Sequence, residues 1–141
     1  MLINFIGDIH GYASELRALL ARLGYLYSVS SGWVAGEGQL VFLGDLIDRG
    51  PEQKETVEIV RELCEQGYAI CLTGNHEFNA ICYHTRSSSG NDYLRPHSIK
   101  NTDQHESFLR EYQTDSAELE ETISWFRSLP IWWENPDIRA I

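Results

Sequence analysis

Residues 39–50 read Gln39-Leu40-Val41-Phe42-Leu43-Gly44-Asp45-Leu46-Ile47-Asp48-Arg49-Gly50, and the architecture is inferred outward from them. The first five residues are apolar enough for a strand buried on both faces, which is typical of a parallel sheet. Two carboxylates and a guanidinium follow in a loop bounded by glycines. The stretch therefore predicts a buried strand whose carboxyl end carries a polar site.

Apolar runs at residues 2–6 and 68–73 predict two further strands, one before and one after the strand at 39–43. Apolar residues recur at helical spacing between these strands, which predicts helices from Tyr12 to Leu23 and from Pro51 through Gln66. A succession of strand, helix, strand, helix and strand implies βαβ crossovers and a mainly parallel sheet. The predicted fold class is therefore α/β.

The other segments are less regular. Trp33 and Val34 are candidates for a hairpin or an edge strand. An Asp-Ser-Ala-Glu sequence at 115–118 resembles a capping box in which Asp replaces Ser or Thr, and it predicts a helix through Arg127. The elements predicted around it are a helix at 78–84, a polar loop at 85–103, a helix at 105–112 and the start of a strand at 137–141.

Each of the three strands is followed at once by a glycine-containing polar segment. These segments are Gly7-Asp8-Ile9-His10-Gly11, the loop at 44–50 and Gly74-Asn75-His76-Glu77. In open parallel sheets, the loops at the carboxyl ends of the strands meet at the ligand crevice. We therefore expect the three segments to form one site.

The residue types in these segments suit divalent metals and phosphate. Asp8 and His10 are two residues apart and point the same way in an extended segment, so both can reach one ion. The two oxygens of Asp45 could bridge two ions, and the amide oxygen of Asn75 could complete a second metal site. Oxygen and nitrogen ligands of this kind suit Mn, Fe, Zn or Mg.

The remaining polar residues suggest chemistry on an anion. The planar fork of Arg49 could bind phosphate oxygens. His76 would be free to act as an acid, and Asp48 could hold a histidine. Simpler structural interpretations stay open: Asp48 and Arg49 could form a surface ion pair, and His76 could be a turn residue bonded to backbone.

These three motifs, in this order, resemble the calcineurin-like metallophosphoesterases, in particular their phosphoprotein-phosphatase branch. The similarity runs over residues 3–82, and the small bacterial Ser/Thr phosphatases and symmetrical diadenosine tetraphosphatases look closest. The resemblance implies a metallo-dependent phosphatase-like α/β/β/α sandwich. It also implies that two divalent ions, with manganese expected first and Fe, Zn or Mg as alternatives, activate a hydroxide that attacks phosphorus.

The resemblance also implies a role for each site residue. It places Asp8 and His10 on the first metal, Asp45 between the metals and Asn75 on the second. The catalytic residues it implies are His76 as general acid, Asp48 as the residue that orients it, and Arg49 on the phosphate. Substrate binding is assigned to Arg49, Asn75 and His76.

One departure from the family pattern concerns the later histidines. The family takes two more histidine ligands from its C-terminal half, whereas His84, His97 and His105 fall in the helix-and-loop segment. We expect them to lie on the surface, to pack in a cap or to contact substrate, and we do not expect His97 and His105 on a metal with Asn75.

The resemblance divides the chain, 1–141, within a single domain. It predicts a metal-binding core at 1–82, a helical cap-like segment at 83–133 and the start of a truncated second half at 134–141. Within the cap-like segment, Tyr93, Arg95 and His97 are candidates for substrate specificity.

Composition limits the possible partners. The chain has 141 residues and a net charge of −10, which argues against nucleic acid and anionic membranes as partners. Three scattered cysteines read as free thiols, and we see neither a secretory signal nor a membrane span, so we expect a cytoplasmic protein.

Three functions remain open on the sequence. The first is a phosphatase acting on a phosphorylated small molecule, a nucleotide or a phosphoprotein. For the full-length form, the alternative activity is hydrolysis of dinucleoside polyphosphates. The second is a non-catalytic fragment that binds metal or phosphate weakly. The third, a phosphatase for nucleic-acid ends, is disfavoured by the acidic charge.

Overall fold

A computed structural model describes residues 2–141. Seven strands and six helices follow one another along these residues. They are β1 (Ile3–Ile6), α1 (Ala13–Arg22), β2 (Leu26–Ser28), β3 (Gly32–Val34), β4 (Gln39–Phe42), α2 (Gln53–Glu65), β5 (Ala69–Cys71), α3 (Asn75–Tyr83), α4 (Ile99–Gln104), α5 (Glu106–Glu111), α6 (Ala117–Ser128), β6 (Trp133–Glu134) and β7 (Arg139–Ala140).

The centre of the fold is a three-stranded parallel sheet in the order β1-β4-β5. Leu40, Val41 and Phe42 of the middle strand are fully buried. The apolar stripe of α2, from Thr56 to Leu63, is buried as well. The prediction of an α/β fold with a parallel sheet is therefore confirmed, and it explains why the polar loops leave the same edge.

Two short antiparallel hairpins flank this sheet. β2 pairs with β3, which confirms the hairpin expected around Trp33. The Trp33 indole is buried and donates to the Glu62 carboxylate. The strand expected at 137–141 is present only as β7, and it pairs with β6 rather than with the parallel sheet.

The segment 78–84, expected to continue a helix, lies in α3 up to Tyr83, and that helix begins at Asn75, directly after a β-conformation glycine at its N-cap. Other predicted boundaries were wrong. The polar loop expected at 85–103 contains the start of α4, which has no buried residue and so no apolar stripe to reveal it. The cap of α6 is Ser116, whose hydroxyl accepts from the Leu119 N–H, rather than Asp115.

The helices after the sheet form a layer over its carboxyl edge. α3 packs against α6, and α2 packs against α5. Phe108 and Phe126 are fully buried between them and join the main core. None of the helices in residues 2–141 is long and apolar enough to cross a bilayer.

Candidate active site

Backbone hydrogen bonds tie the first two polar loops together. The N–H groups of Ile9 and His10 both donate to the Asp45 carbonyl at 3.0 Å. The Gly11 N–H donates to the Leu46 carbonyl at 2.7 Å, and the Gly50 N–H donates to the His10 carbonyl at 2.8 Å. The loops after β1 and β4 are therefore one hydrogen-bonded unit.

Four side-chain-bearing residues of these loops have left-handed backbone. The φ angles are +50° at His10, +54° at Asp45, +69° at Asp48 and +73° at Arg49. This conformation is strained for residues other than glycine, and such strain concentrates at functional sites. Each of the four is a residue that the sequence assigned to the site.

A buried carboxylate joins the second loop to the third. Glu77 is fully buried, and its two oxygens accept from the N–H groups of Asp45, Leu46 and Gly74 at 2.8, 2.8 and 3.0 Å. Burial raises the pKa of Glu77, and the three N–H donors oppose that rise. The sequence analysis gave this residue no role, although its place three residues into α3 is typical of a capping glutamate.

His10 is oriented as a metal ligand would be. Its Nδ1 lies 2.8 Å from the Ile47 carbonyl, which can only accept, so Nδ1 carries the proton. Its Nε2 is buried, lies 3.4 Å from Asp8 Oδ2 and has no hydrogen-bond partner within residues 2–141. A buried nitrogen lone pair without a partner is costly, and a cation beside it would remove that cost.

The donor set around His10 fits a divalent metal. Ligand atoms of His10, Asp45 and His76 all lie within 4.8 Å of one another. Asp45 uses Oδ1 to accept from the His76 N–H at 3.0 Å, which leaves Oδ2 free of that bond. Imidazole nitrogen with carboxylate oxygen is a mixture that suits Mn, Fe or Zn. Asn75 is exposed and is the first residue of α3, directly before His76.

Asp48 contacts two histidines. Oδ2 lies 2.7 Å from Nδ1 of His76, and Oδ1 lies 2.6 Å from Nδ1 of His105. The alternative of an Asp48–Arg49 ion pair is wrong. Arg49 is exposed, and no carboxylate in the described part of the chain forms an ion pair with its guanidinium.

His105 has a contact in the site that we did not expect from the sequence. Of the surface, packing and substrate-contact roles expected for it, its burial and its stacking on Phe108 agree with packing, but its bond to Asp48 was not foreseen. It is 57 residues from Asp48 in the chain, so no local spacing could have indicated the contact. Its Nε2 lies 3.2 Å from Nε2 of His84, and burial together with the neighbouring His105 and His97 lowers the pKa of His84 to about 4.

The specificity candidates occupy different positions. The His97 ring stacks between Tyr83 and Tyr93, with ring centroids 3.8 and 4.0 Å away. Arg95 donates to Asn101 and Gln104. The convergent group of His, Cys, Asp and Glu ligand atoms found within residues 2–141 includes neither His97 nor His105.

A cavity of about 420 Å³ opens beside the metal-ligand group. The three residues predicted to bind substrate all line it, and the helical layer supplies the rest. Its lining residues are Arg49, Asn75, His76, Asn79, Asp103, Gln104 and Ser107. The roles of the individual residues in catalysis and binding stay predictions, but the structure brings those residues to one place.

Comparison with known proteins gives the same picture. The family model described as calcineurin-like phosphoesterase matches residues 1–138. The asymmetrical bis(5'-nucleosyl)-tetraphosphatase PrpE of Oceanobacillus iheyensis is 33% identical over 87% of the chain and 45% of its own length. A symmetrical bis(5'-nucleosyl)-tetraphosphatase of Psychromonas ingrahamii is 26% identical over 100% of the chain and 42% of its own length.

Solved structures show the same fold. The crystal structure of a metallophosphoesterase from Sphaerobacter thermophilus superposes with a TM-score of 0.62 at 23% identity. The match covers 99% of this chain and 45% of that one. The chain thus spans about half the length of the curated relatives and the solved structure that it matches.

Proposed function

The chain belongs to the calcineurin-like phosphoesterase family, and on that premise we propose that it hydrolyses phosphate esters, with nucleoside polyphosphates as its substrate class. The observation that carries the proposal is the convergence of His10, Asp45 and His76 beside a cavity lined by Arg49, whose guanidinium forms no ion pair within residues 2–141. Phosphate-ester hydrolysis needs a cationic place for the phosphoryl group and a proton donor for the leaving oxygen.

We propose that Asp8, His10, Asp45 and Asn75 hold the metal ions. The partnerless Nε2 of His10 and the free oxygen of Asp45 support this assignment. When bound, two divalent ions supply Lewis-acid activation of water and neutralise charge on the phosphoryl oxygens. Manganese is the metal we propose, because it accepts the mixed oxygen and nitrogen set.

Arg49 and His76 carry the remaining roles. Arg49 binds the phosphoryl oxygens with its planar fork, which stabilises charge that develops there. His76 donates a proton from Nε2 to the leaving oxygen, since its Nδ1 is engaged by Asp48 at 2.7 Å. The Asp48 carboxylate stabilises the protonated ring and fixes its orientation.

The substrate class rests on the relatives and on the cavity. Two relatives carry the name bis(5'-nucleosyl)-tetraphosphatase. The cavity is also lined by Asn79, Gln104 and Ser107, whose side chains can hydrogen-bond a ribose or a phosphate. Cytoplasmic location belongs to the same proposal, and the free state of Cys64, Cys71 and Cys82 supports it.

The test is Mn²⁺-dependent hydrolysis of diadenosine tetraphosphate and of an aryl phosphate by the 141-residue chain. We expect turnover that chelation abolishes and that Asp45→Asn lowers by at least about a hundredfold, since it removes a charged metal ligand. Asp137→Asn makes the same change at an exposed acid beyond the cavity and should leave the rate unchanged. Turnover that survives Asp45→Asn would contradict the proposal.

A second function is favoured by one observation. Of the four proposed metal ligands, only His10 and Asp45 belong to the convergent group of His, Cys, Asp and Glu ligand atoms within residues 2–141, which is few for two tightly bound ions. A chain of this length could therefore bind metal and phosphate without turnover. Metal analysis after dialysis distinguishes the two: two retained ions per chain indicate the enzyme, and one or none with no turnover indicates the binding fragment.

A further inference from the structure

The Asp48 carboxylate is held from two independent elements. It is buried, and each of its oxygens faces the Nδ1 atom of a different histidine. His76 comes from the first turn of α3, whereas His105 lies at the junction of α4 and α5. With one donor the carboxylate could turn about its last bond, but with two, any turn breaks a charge-assisted hydrogen bond.

An ionised Asp48 and a neutral His105 together determine where the protons lie. An ionised carboxylate only accepts, so both Nδ1 atoms donate to Asp48. A neutral His105 then has an unprotonated Nε2, and the 3.2 Å contact requires His84 to donate from its own Nε2. The lowered pKa of His84 is consistent with a neutral ring at this position. One arrangement of protons therefore satisfies His76, Asp48, His105 and His84 together.

The hydrogen-bonded series returns to the helix from which it starts. His76 and His84 are the second residue and the C-cap residue of α3, and the bonds through Asp48 and His105 join them. The His105 ring also stacks on Phe108, with centroids 4.6 Å apart and planes at 16°. Its orientation is therefore fixed by packing as well as by hydrogen bonds.

We propose that His105, supported by His84, is a positioning residue for the hydrolysis. By occupying the second oxygen of Asp48, it holds the carboxylate in the orientation that keeps His76 bonded through Nδ1 and leaves Nε2 for the substrate cavity. The proposal rests on the proposed function for its catalytic meaning, but the positioning itself is a property of the chain without metal or substrate.

The experiment is nitrogen NMR of the histidine rings in the metal-free 141-residue chain, with His105→Phe and His105→Asn as the variants. Phenylalanine keeps a flat ring against Phe108 and removes the donor, whereas the Asn amide can replace Nδ1–H. We expect His76 to show a single Nδ1–H tautomer in the wild type and in His105→Asn. In His105→Phe we expect a mixture of the two tautomers.

Phe108→Leu is the control for disturbed packing, because it loosens the contact with His105 and leaves every hydrogen bond in place. It should lower thermal stability without changing the His76 tautomer. A single Nδ1–H tautomer of His76 in His105→Phe would overturn the proposal. The same mixture in Phe108→Leu would overturn it too, since packing alone would then explain the effect.

Kinetics supply the second readout. In His105→Phe we expect kcat to fall roughly tenfold with KM unchanged, and in His105→Asn we expect kcat to recover. A raised KM with unchanged kcat would show a substrate contact instead and would overturn the proposal. Absence of turnover in the wild type would count against the proposed function only, because the NMR result still decides the role of His105.

Discussion

The strand-end loops and the helical layer both contact Asp48, but different interactions hold them in place. The loops are tied by backbone hydrogen bonds and by Glu77, and four of their residues have strained backbone. Helices α4 and α5 of the helical layer contact these loops through side-chain hydrogen bonds, with His105 on Asp48 and the Ser107 hydroxyl on the Arg49 carbonyl. The loops therefore form the site, and the helical layer aligns it.

The sharpest way to break this comparison is to remove the carboxylate that ties the loops. Glu77→Ala leaves three N–H groups without that acceptor, one of them buried and two partly buried, and a buried group in this state costs about 1–3 kcal/mol. We expect the free energy of unfolding to fall by roughly 3–5 kcal/mol, measured by urea titration. Glu121→Ala, at an exposed glutamate of α6, should change it by less than about 0.5 kcal/mol.

A cost below about 1 kcal/mol for Glu77→Ala would contradict the first half of the comparison. The loops would then be held by their mutual backbone bonds alone. Metal affinity of the same variant is a second measurement. Without Glu77, Asp45 is held less firmly, so metal binding should weaken even if the variant still folds.

The contribution of His84, in the helical layer, to the stability of the fold should decrease at low pH. The pKa of His84 is lowered in the fold from its ordinary value of 6.5 to about 4, so the unfolded chain binds a proton there that the folded chain does not. The contribution of His84 to stability is therefore complete above pH 6.5 and is lost as the pH falls towards 4. Urea titrations at several pH values should show this loss in the wild type.

His84→Gln is the matched control for that prediction. Its amide can still donate to His105 but cannot be protonated in this range. We expect its stability to fall less steeply between pH 6.5 and 4 than that of the wild type. Parallel curves for the two proteins would show that the acid response comes from other groups.

The smallest effect is expected at the surface of the helical layer. Arg110 lies 2.6 Å from the Glu106 carboxylate on α5, and both side chains are more than half exposed. Arg110→Ala should change the free energy of unfolding by less than about 0.5 kcal/mol. Arg61→Ala, which breaks a pair of the same spacing in α2, is the control. A cost above about 1 kcal/mol for Arg110→Ala alone would mean that surface charge, rather than His105 and Phe108, holds α5.

The strand-end loops and the helical layer also differ in how much of their structure can be predicted from sequence. His10, Asp45 and His76 follow three apolar strands, and the rule that strand ends converge was enough to predict that they lie together. The succession of strands and helices predicts the parallel sheet, helical spacing predicts the buried stripe of α2, and the position of Arg49 after β4 predicts its place at the cavity. In the strand-end loops, the residues that form the recognisable sequence motifs are also the residues that meet in the folded site.

The helical layer lacks that local signal. α4 has no buried residue, so periodicity could not reveal it. His105 acquires its contact with Asp48 from the packing of α5 on α2, which no spacing in the sequence encodes. Glu77 was visible as a capping position, but its bonds to Asp45 and Leu46 depend on how closely the loops approach.

The left-handed backbone at His10, Asp45, Asp48 and Arg49 sets stability and activity in opposition. Glycine at Arg49 would relieve strain of about 1 kcal/mol and would remove the proposed phosphate contact at the same time. A directed-evolution screen that rewarded heat resistance alone would therefore favour variants with a poorer site. Engineering of this scaffold should select for turnover in every round and look for stability on the outer faces of the helices.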